Sequence, residues 1–171
     1  MDPSQTRNSL LFRRAVAFLM DLFLLGLVQG IFLVLILLPL FVGEDPLDRF
    51  VEKVEGNPAI IMEMILAYFG VILFFFIFSG FYFILLQSST WQATLGKRML
   101  GLKVTDLGGN PIGFGTALMR YFVRVLLSST GLLILADFIV GFTNDEGQTI
   151  HDLAARTRVF EIKESPPPLG R

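Results

Sequence analysis

Two uncharged apolar stretches constrain this chain more than anything else in it: Leu22 to Val42, 21 residues, and Met64 to Leu86, 23 residues. A hydrocarbon core about 30 Å thick needs roughly 20 apolar residues in helix. At about 1.5 Å rise per residue, Leu22 to Val42 alone reaches about 31 Å. Both are therefore expected to cross a bilayer, within apolar segments at about 11–42 and about 59–87. With 53% hydrophobic residues and a mean hydropathy of +0.66, the chain is too apolar for a soluble domain. The first segment is too long for the apolar region of a cleaved signal peptide, and no small-residue cleavage pattern follows it, so it is expected to be retained.

The signs of the charges segregate by loop. The stretch 43–58 holds Glu44, Asp45, Asp48, Glu52 and Glu55 against only Arg49 and Lys53. Arg7, Arg13 and Arg14 precede the first span, and Lys97, Arg98, Lys103, Arg120 and Arg124 follow the second. The bias of short-loop Lys and Arg toward the cytoplasm puts both basic ends inside and the acidic loop outside. A net charge of −1 gives no reason to expect a nucleic-acid partner.

Three ionisable residues enter the first apolar segment: Arg13, Arg14 and Asp21. Arg14, Ala17, Phe18 and Asp21 follow the i, i+3, i+4, i+7 spacing of one helix face. Arg14 and Asp21 are then about 10 Å apart along the axis, so a third group between them is more natural than a direct pair. Charge at membrane depth marks a functional-site candidate, with Arg13, Arg14 and Asp21 facing a partner or a cavity. The alternative is a boundary position, with both arginines reaching back to the headgroups.

The middle of the chain changes character. Leu100 to Thr105 alternates with the period of a half-buried strand, and Asp106 to Pro111, with Gly108, Gly109 and Asn110, reads as a turn. A hairpin on the membrane surface, about 92–118, is expected. The third apolar segment, about 119–142, has only Val125 to Ala136 free of charge, about 18 Å as helix, and contains Ser128, Ser129, Thr130 and Gly131. A straight crossing would carry Arg156, Arg158, Lys163 and Arg171 outside, so a broken or re-entrant segment buried against the two spans is favoured. That would let Thr157 to Ile162 pair with the strand at Leu100 to Thr105. The expected fold is thus an all-α membrane protein of two long transmembrane helices, a third broken segment and a small cytoplasmic β-hairpin. It forms one domain over 1–163 that ends in a C-terminal motif at 145–163, with a disordered Pro-rich tail at 164–171.

Chemistry-bearing motifs are sparse. The absence of cysteine excludes disulfides, thiolate metal sites and cysteine nucleophiles. Gly26 and Gly30 form a small-xxx-small pair that lets a helix approach closely, with Gln29 between them. Thr94, Gly96 and Lys97 resemble a phosphate loop only faintly, because the required glycine spacing is missing. Lys97, Arg98 and Lys103 suit anionic headgroups better. His151 beside Asp152 supplies too few ligands for a hydrolytic metal centre. Ser128, Ser129 and Thr130 fit backbone-satisfying hydroxyls at a helix break better than nucleophiles. The oxygen-rich run from Asp145 to Asp152 suits a hard cation or an ordinary turn. No enzyme activity, metal or cofactor is expected.

Taken together, Arg13 to Asp21, Thr94 to Val104 with its Thr-x-Gly-Lys core, Asn110 to Phe114 with Arg120, and Gln148 to Asp152 with Thr157 to Val159 resemble the RDD family of membrane proteins. The seven-residue separation from Asp21 favours Arg14 as the family arginine, and Asp152 matches the second aspartate. Leu95 departs from the family, which often has proline there. The resemblance implies a bacterial inner-membrane protein of poorly defined activity, with ligand transport or cation/proton antiport proposed for some members. Two readings follow. In one, the chain is an oligomeric transporter or exchanger in which Asp21 and Asp152 trade a proton for a cation and Arg14 tunes them. In the other, it is a non-catalytic subunit or assembly factor of a larger membrane complex, with the charged motif as a structural clamp. Under either reading His151, Gly96, Lys97 and Arg120 are the supporting residues of the ion or clamp site.

Overall fold

The computed structural model describes residues 3–42, 46–57, 59–129, 131–144 and 146–162. The elements run α1 (Pro3–Phe41), α2 (Pro46–Gly56), α3 (Ala59–Ser88), α4 (Leu95–Met99), β1 (Leu102–Asp106), α5 (Phe114–Ser128), α6 (Leu132–Thr143), α7 (Ile150–Ala154) and β2 (Thr157–Glu161). The chain divides into two compact units, Phe23–Ser79 and the combination of Met1–Leu22 with Gly80–Arg171. The expected tail at 164–171 and Glu44 and Asp45 of the acidic loop lie outside the described residues.

The unit Phe23–Ser79 holds the apolar parts of α1 and α3. Gln29 Nε2 donates to Ser79 Oγ at 3.0 Å, and the Phe32 ring stacks on Phe74 with centroids 5.3 Å apart. These are local ties between two helices whose side chains mostly face outward: Phe23, Leu35, Leu66 and Phe69 are all more than half exposed. The stretches Arg7–Leu38 and Ala59–Ser88 are long and apolar enough to cross a membrane. Contiguous apolar surface of this extent calls for a covering partner, and segments of this length match the thickness of a hydrocarbon core. A Cβ placed on Gly26 or Gly30 would meet nothing within 4 Å. The chain's own described helices therefore do not use that glycine pair for close approach. The acidic α2 opens with Pro46 at its first position and Asp48 in its first turn, both favourable at a helix N-terminus.

The second unit is built around a small core of Ala17, Ile84, Leu102, Val104, Ile112, Ala117 and Val159. Its sheet corrects the expected hairpin. β1 pairs antiparallel with β2, not with the segment that follows it, in a register that sets Val104 opposite Val159. The turn after β1 forms as its residues suggest: the Asp106 carboxylate accepts from the Asn110 backbone and side chain at 2.7 and 3.1 Å, and Gly109 takes φ +84°. The returning arm, however, reduces to a single bridge between Thr105 and Pro111. Pro111 has no N–H to extend a ladder, and Gly113 then caps α5. β2 pairs along the opposite edge of β1, the pairing anticipated from the alternation in Thr157 to Ile162.

The third apolar stretch forms two helices, α5 and α6, separated at Ser129 to Gly131. Gly131 has φ +62°, a left-handed conformation that glycine adopts without strain. Ser128 and Ser129 turn their hydroxyls onto the Arg124 and Leu126 carbonyls at 2.8 and 2.7 Å. Thr130 lies outside the described residues.

Candidate functional site

A buried polar cluster sits inside the unit formed by Met1–Leu22 and Gly80–Arg171. It draws on five helices: Arg14 and Asp21 from α1, Gly96 and Lys97 from α4, Arg120 from α5, Asp137 from α6, and His151 and Asp152 from α7. All the side chains among these are at most 6% exposed. Charges taken this far from water persist only when paired or hydrogen-bonded.

Asp152 is its centre. It is the third residue of α7, and its carboxylate reaches back to the Thr149 backbone N–H at 3.1 Å, as in a capping box. One carboxylate oxygen pairs with Arg14, and the other pairs with the Arg120 Nη1 atom at 2.6 Å. Burial pushes the Asp152 carboxyl up, but Arg14 and Arg120 outweigh it and hold the group well below the usual carboxylate range. Both guanidiniums have further acceptors. Arg14 donates to the Gly147 carbonyl at 2.6 Å, while Arg120 donates to Gln87 Oε1 at 3.0 Å and to the Thr157 hydroxyl.

Asp21 serves a different part of the fold. Its Oδ1 accepts from the Tyr82 hydroxyl at 2.6 Å and the Gly96 backbone N–H at 2.8 Å, and its Oδ2 accepts from the Thr94 hydroxyl at 2.5 Å. Thr94 precedes α4, so Asp21 fixes the start of that helix against α1. The approach is close enough that a Cβ on Gly96 would collide with the Ala17 carbonyl and meet Asp21 Oδ1 at 3.0 Å. Glycine is required there for lack of space.

Beside Asp152, His151 stands against Asp137. Its Nδ1 lies 2.7 Å from Asp137 Oδ2 and its backbone N–H donates to Asp137 Oδ1 at 3.1 Å. Burial drives the His151 pKa down to about 4 against the pull of Asp152 and Asp137, so the ring is neutral at ordinary pH and Nδ1–H is the donor to Asp137.

The structure therefore brings together Arg14, Asp21, Gly96, Lys97, Arg120, His151 and Asp152. It leaves out Arg13, which is half exposed and pairs with Glu161 at the sheet edge, and Gly26 and Gly30. Arg14 and Asp21 border one cavity but do not bond directly; each has its own partners. Sequence reasoning missed Asp137, Tyr82, Thr94 and Gln87 as members. Asp137 carried a signal, an isolated carboxylate inside an apolar helix, and Thr94 opens the Thr-x-Gly-Lys motif, while uncharged Tyr82 and Gln87 gave none. Among its described residues the oxygen-rich run does not converge on one point: Glu146 faces Arg158 at 3.8 Å and Asp152 turns to the arginines, while Asp145 lies outside the described residues. Among the described residues, no three metal-ligating side chains form a group.

The family model described as the RDD family matches residues 9–156, a span that includes every member of the cluster. The chain belongs to the RDD family. The chain resembles an uncharacterized protein, YxaI, of Bacillus subtilis, with 35% identity over 58% of this chain and 64% of that one. An uncharacterized protein of Haemophilus influenzae is 31% identical over 50% of this chain and 54% of its own length. The chain thus spans under two thirds of the curated relatives it matches. No solved structure matches. Arg14, Asp21 and Asp152, the residues that carry the RDD resemblance, are the buried members that tie α1 to α4 and α7.

Proposed function

We propose that this RDD protein is a non-catalytic subunit or assembly module of a larger complex in the bacterial inner membrane. In this reading the N-terminus and the cluster lie on the cytoplasmic side, α1 and α3 cross the bilayer, and the Arg14–Asp152–Arg120 group is a clamp that locks the polar unit around the entry of the first span. The observation that carries it is the state of the two family carboxylates. Asp152 has an arginine on each oxygen, and Asp21 accepts three hydrogen bonds from uncharged donors. A hard cation needs several free oxygens, and a proton relay needs a carboxylate whose protonated form is accessible near neutral pH. Asp152, held between two arginines, favours neither, and Asp21, turned onto three fixed donors, suits a structural tie.

Transport by a homo-oligomer is the second reading, favoured by a small polar cavity that Arg14, Asp21 and Lys97 line together. Native mass determination after gentle detergent extraction separates the two. A stoichiometric second chain is expected. A pure self-oligomer, with cation flux in proteoliposomes that D21N or D152N abolishes, would replace the subunit reading with transport.

A further inference from the structure

Lys97 stands apart from the other charges of the cluster. It is 5% exposed, and among the described residues its ammonium has no hydrogen-bond or ion-pair partner. It lines a cavity of about 20 Å3 with Arg14, Phe18, Asp21, Arg124, Phe138 and His151. Arg124 likewise faces no carboxylate at ion-pair distance among the described residues; its guanidinium lies over the Phe18 ring, 3.9 Å from the centroid. The formal charges do not balance. Arg14, Lys97, Arg120 and Arg124 face Asp21, Asp137 and Asp152, with His151 neutral, leaving one positive charge in excess. Asp21 borders the same cavity, but its oxygens are turned onto Tyr82, Thr94 and Gly96.

We infer that the cavity between Lys97 and Arg124 is a binding site for one small monovalent anion of halide size, and that the anion enters together with a proton on Lys97. The site is built for this by charge and by size. An unpaired ammonium nine-tenths buried is costly, and a single negative charge beside it restores neutrality. The space suits a particle the size of one water and excludes phosphate-sized groups. When the site is empty, burial first, then Arg120, Arg124 and Arg14, push the Lys97 pKa well below its usual value and favour release of its proton, partly opposed by Asp152. The remaining charged groups, Asp21 on α1 and Asp137 on α6, are occupied by their own donors. Anion binding and lysine protonation are therefore coupled, and the affinity falls about tenfold per pH unit above the pKa of the empty-site lysine. This rests on Lys97 and Arg124, which the clamp does not use, so it stands or falls apart from the subunit reading.

The test is 35Cl line broadening on the full chain purified in mild detergent, at constant ionic strength with gluconate as the excluded anion. Saturable excess broadening that bromide reverses is expected in the native protein, with its apparent affinity falling as pH rises. K97M removes an unpaired buried charge and is expected to fold and to lose the broadening. Absence of saturable broadening in the native protein, an affinity that does not change with pH, or unchanged broadening in a folded K97M would each overturn the proposal. Should K97M fail to fold, the native pH titration decides alone.

Discussion

Arg14 and Asp152, 138 positions apart in the sequence, meet as a buried ion pair. The contact joins the first helix to the short helix that precedes the last strand, and Arg120 closes it from the other side. A charge that looks misplaced in an apolar segment is therefore the anchor for the far end of the chain. Closing a loop of this length costs conformational entropy that rises only logarithmically with its length, and the contact helps to offset it.

Adjacent arginines should differ sharply. Arg13 and Glu161 are nearly half exposed, and exposed pairs contribute about 0–1 kcal/mol. R13A is expected to shift thermal stability by less than about 0.5 kcal/mol, whereas R14M, which breaks a buried pair, should cost about 3 kcal/mol or more. Thermal melts of the two variants in one detergent give the comparison, and equal costs would contradict the assignment of Arg14 to the clamp.

At Asp21, D21N removes the charge and leaves one oxygen to satisfy three donors. Hydrogen bonds to a charged group contribute about 1.5–3 kcal/mol. A loss in that range is expected for D21N, with about 1 kcal/mol for T94V, read from chemical denaturation in detergent. If D21N melts as the native protein does, the carboxylate is not what holds α4.

Two glycines should respond in opposite directions. G96A drives a methyl group into the Ala17 carbonyl and should destabilise by about 1–3 kcal/mol, the usual range for overpacking. G115A lies in α5, where an added Cβ meets nothing within 4 Å, and should stabilise by up to about 1 kcal/mol. Proteolysis rates under native conditions should order the three chains G115A, native and G96A, from slowest to fastest.

His151 imposes a pH dependence of known sign. In the unfolded chain it takes a proton near pH 6.5, but folded it does not until about 4. The unfolded state thus binds more protons between these values. The contribution is full above about pH 6.5, falls by about 1.4 kcal/mol per unit as pH drops, and levels off below about 4. H151Q should flatten this part of the acid limb relative to the native protein. An identical slope in both would show that other groups set it.

What the sequence revealed and what it hid follow from the range of each signal. Leu22 to Val42 and Met64 to Leu86 declare themselves by unbroken apolar length, and Arg14 and Asp21 by helical spacing, all local features. The strand at Leu100 to Thr105 was legible from its alternation, and it starts two residues later and ends one later, at Leu102–Asp106. The turn at Asp106 to Pro111 suggested a hairpin because turn residues say where a chain bends but not which distant strand fills the edge. Asp137 and Tyr82 escaped for a related reason. Their partners, His151 and Asp21, lie 14 and 61 positions away, and single-residue polarity within an apolar helix does not name a partner.

The most direct test of the clamp is a double-mutant cycle on Arg14 and Asp152, with R14M, D152N and the double variant melted in mild detergent. D152N leaves two buried arginines without a counter-charge and should be the worst single change, at about 3–5 kcal/mol. Once Asp152 is gone, removing Arg14 should cost little more, so the double variant should stand within about 1 kcal/mol of D152N and yield a coupling energy above about 1 kcal/mol. Additive losses, within about 0.5 kcal/mol of the sum, would mean that Arg14 and Asp152 act independently and would contradict the clamp.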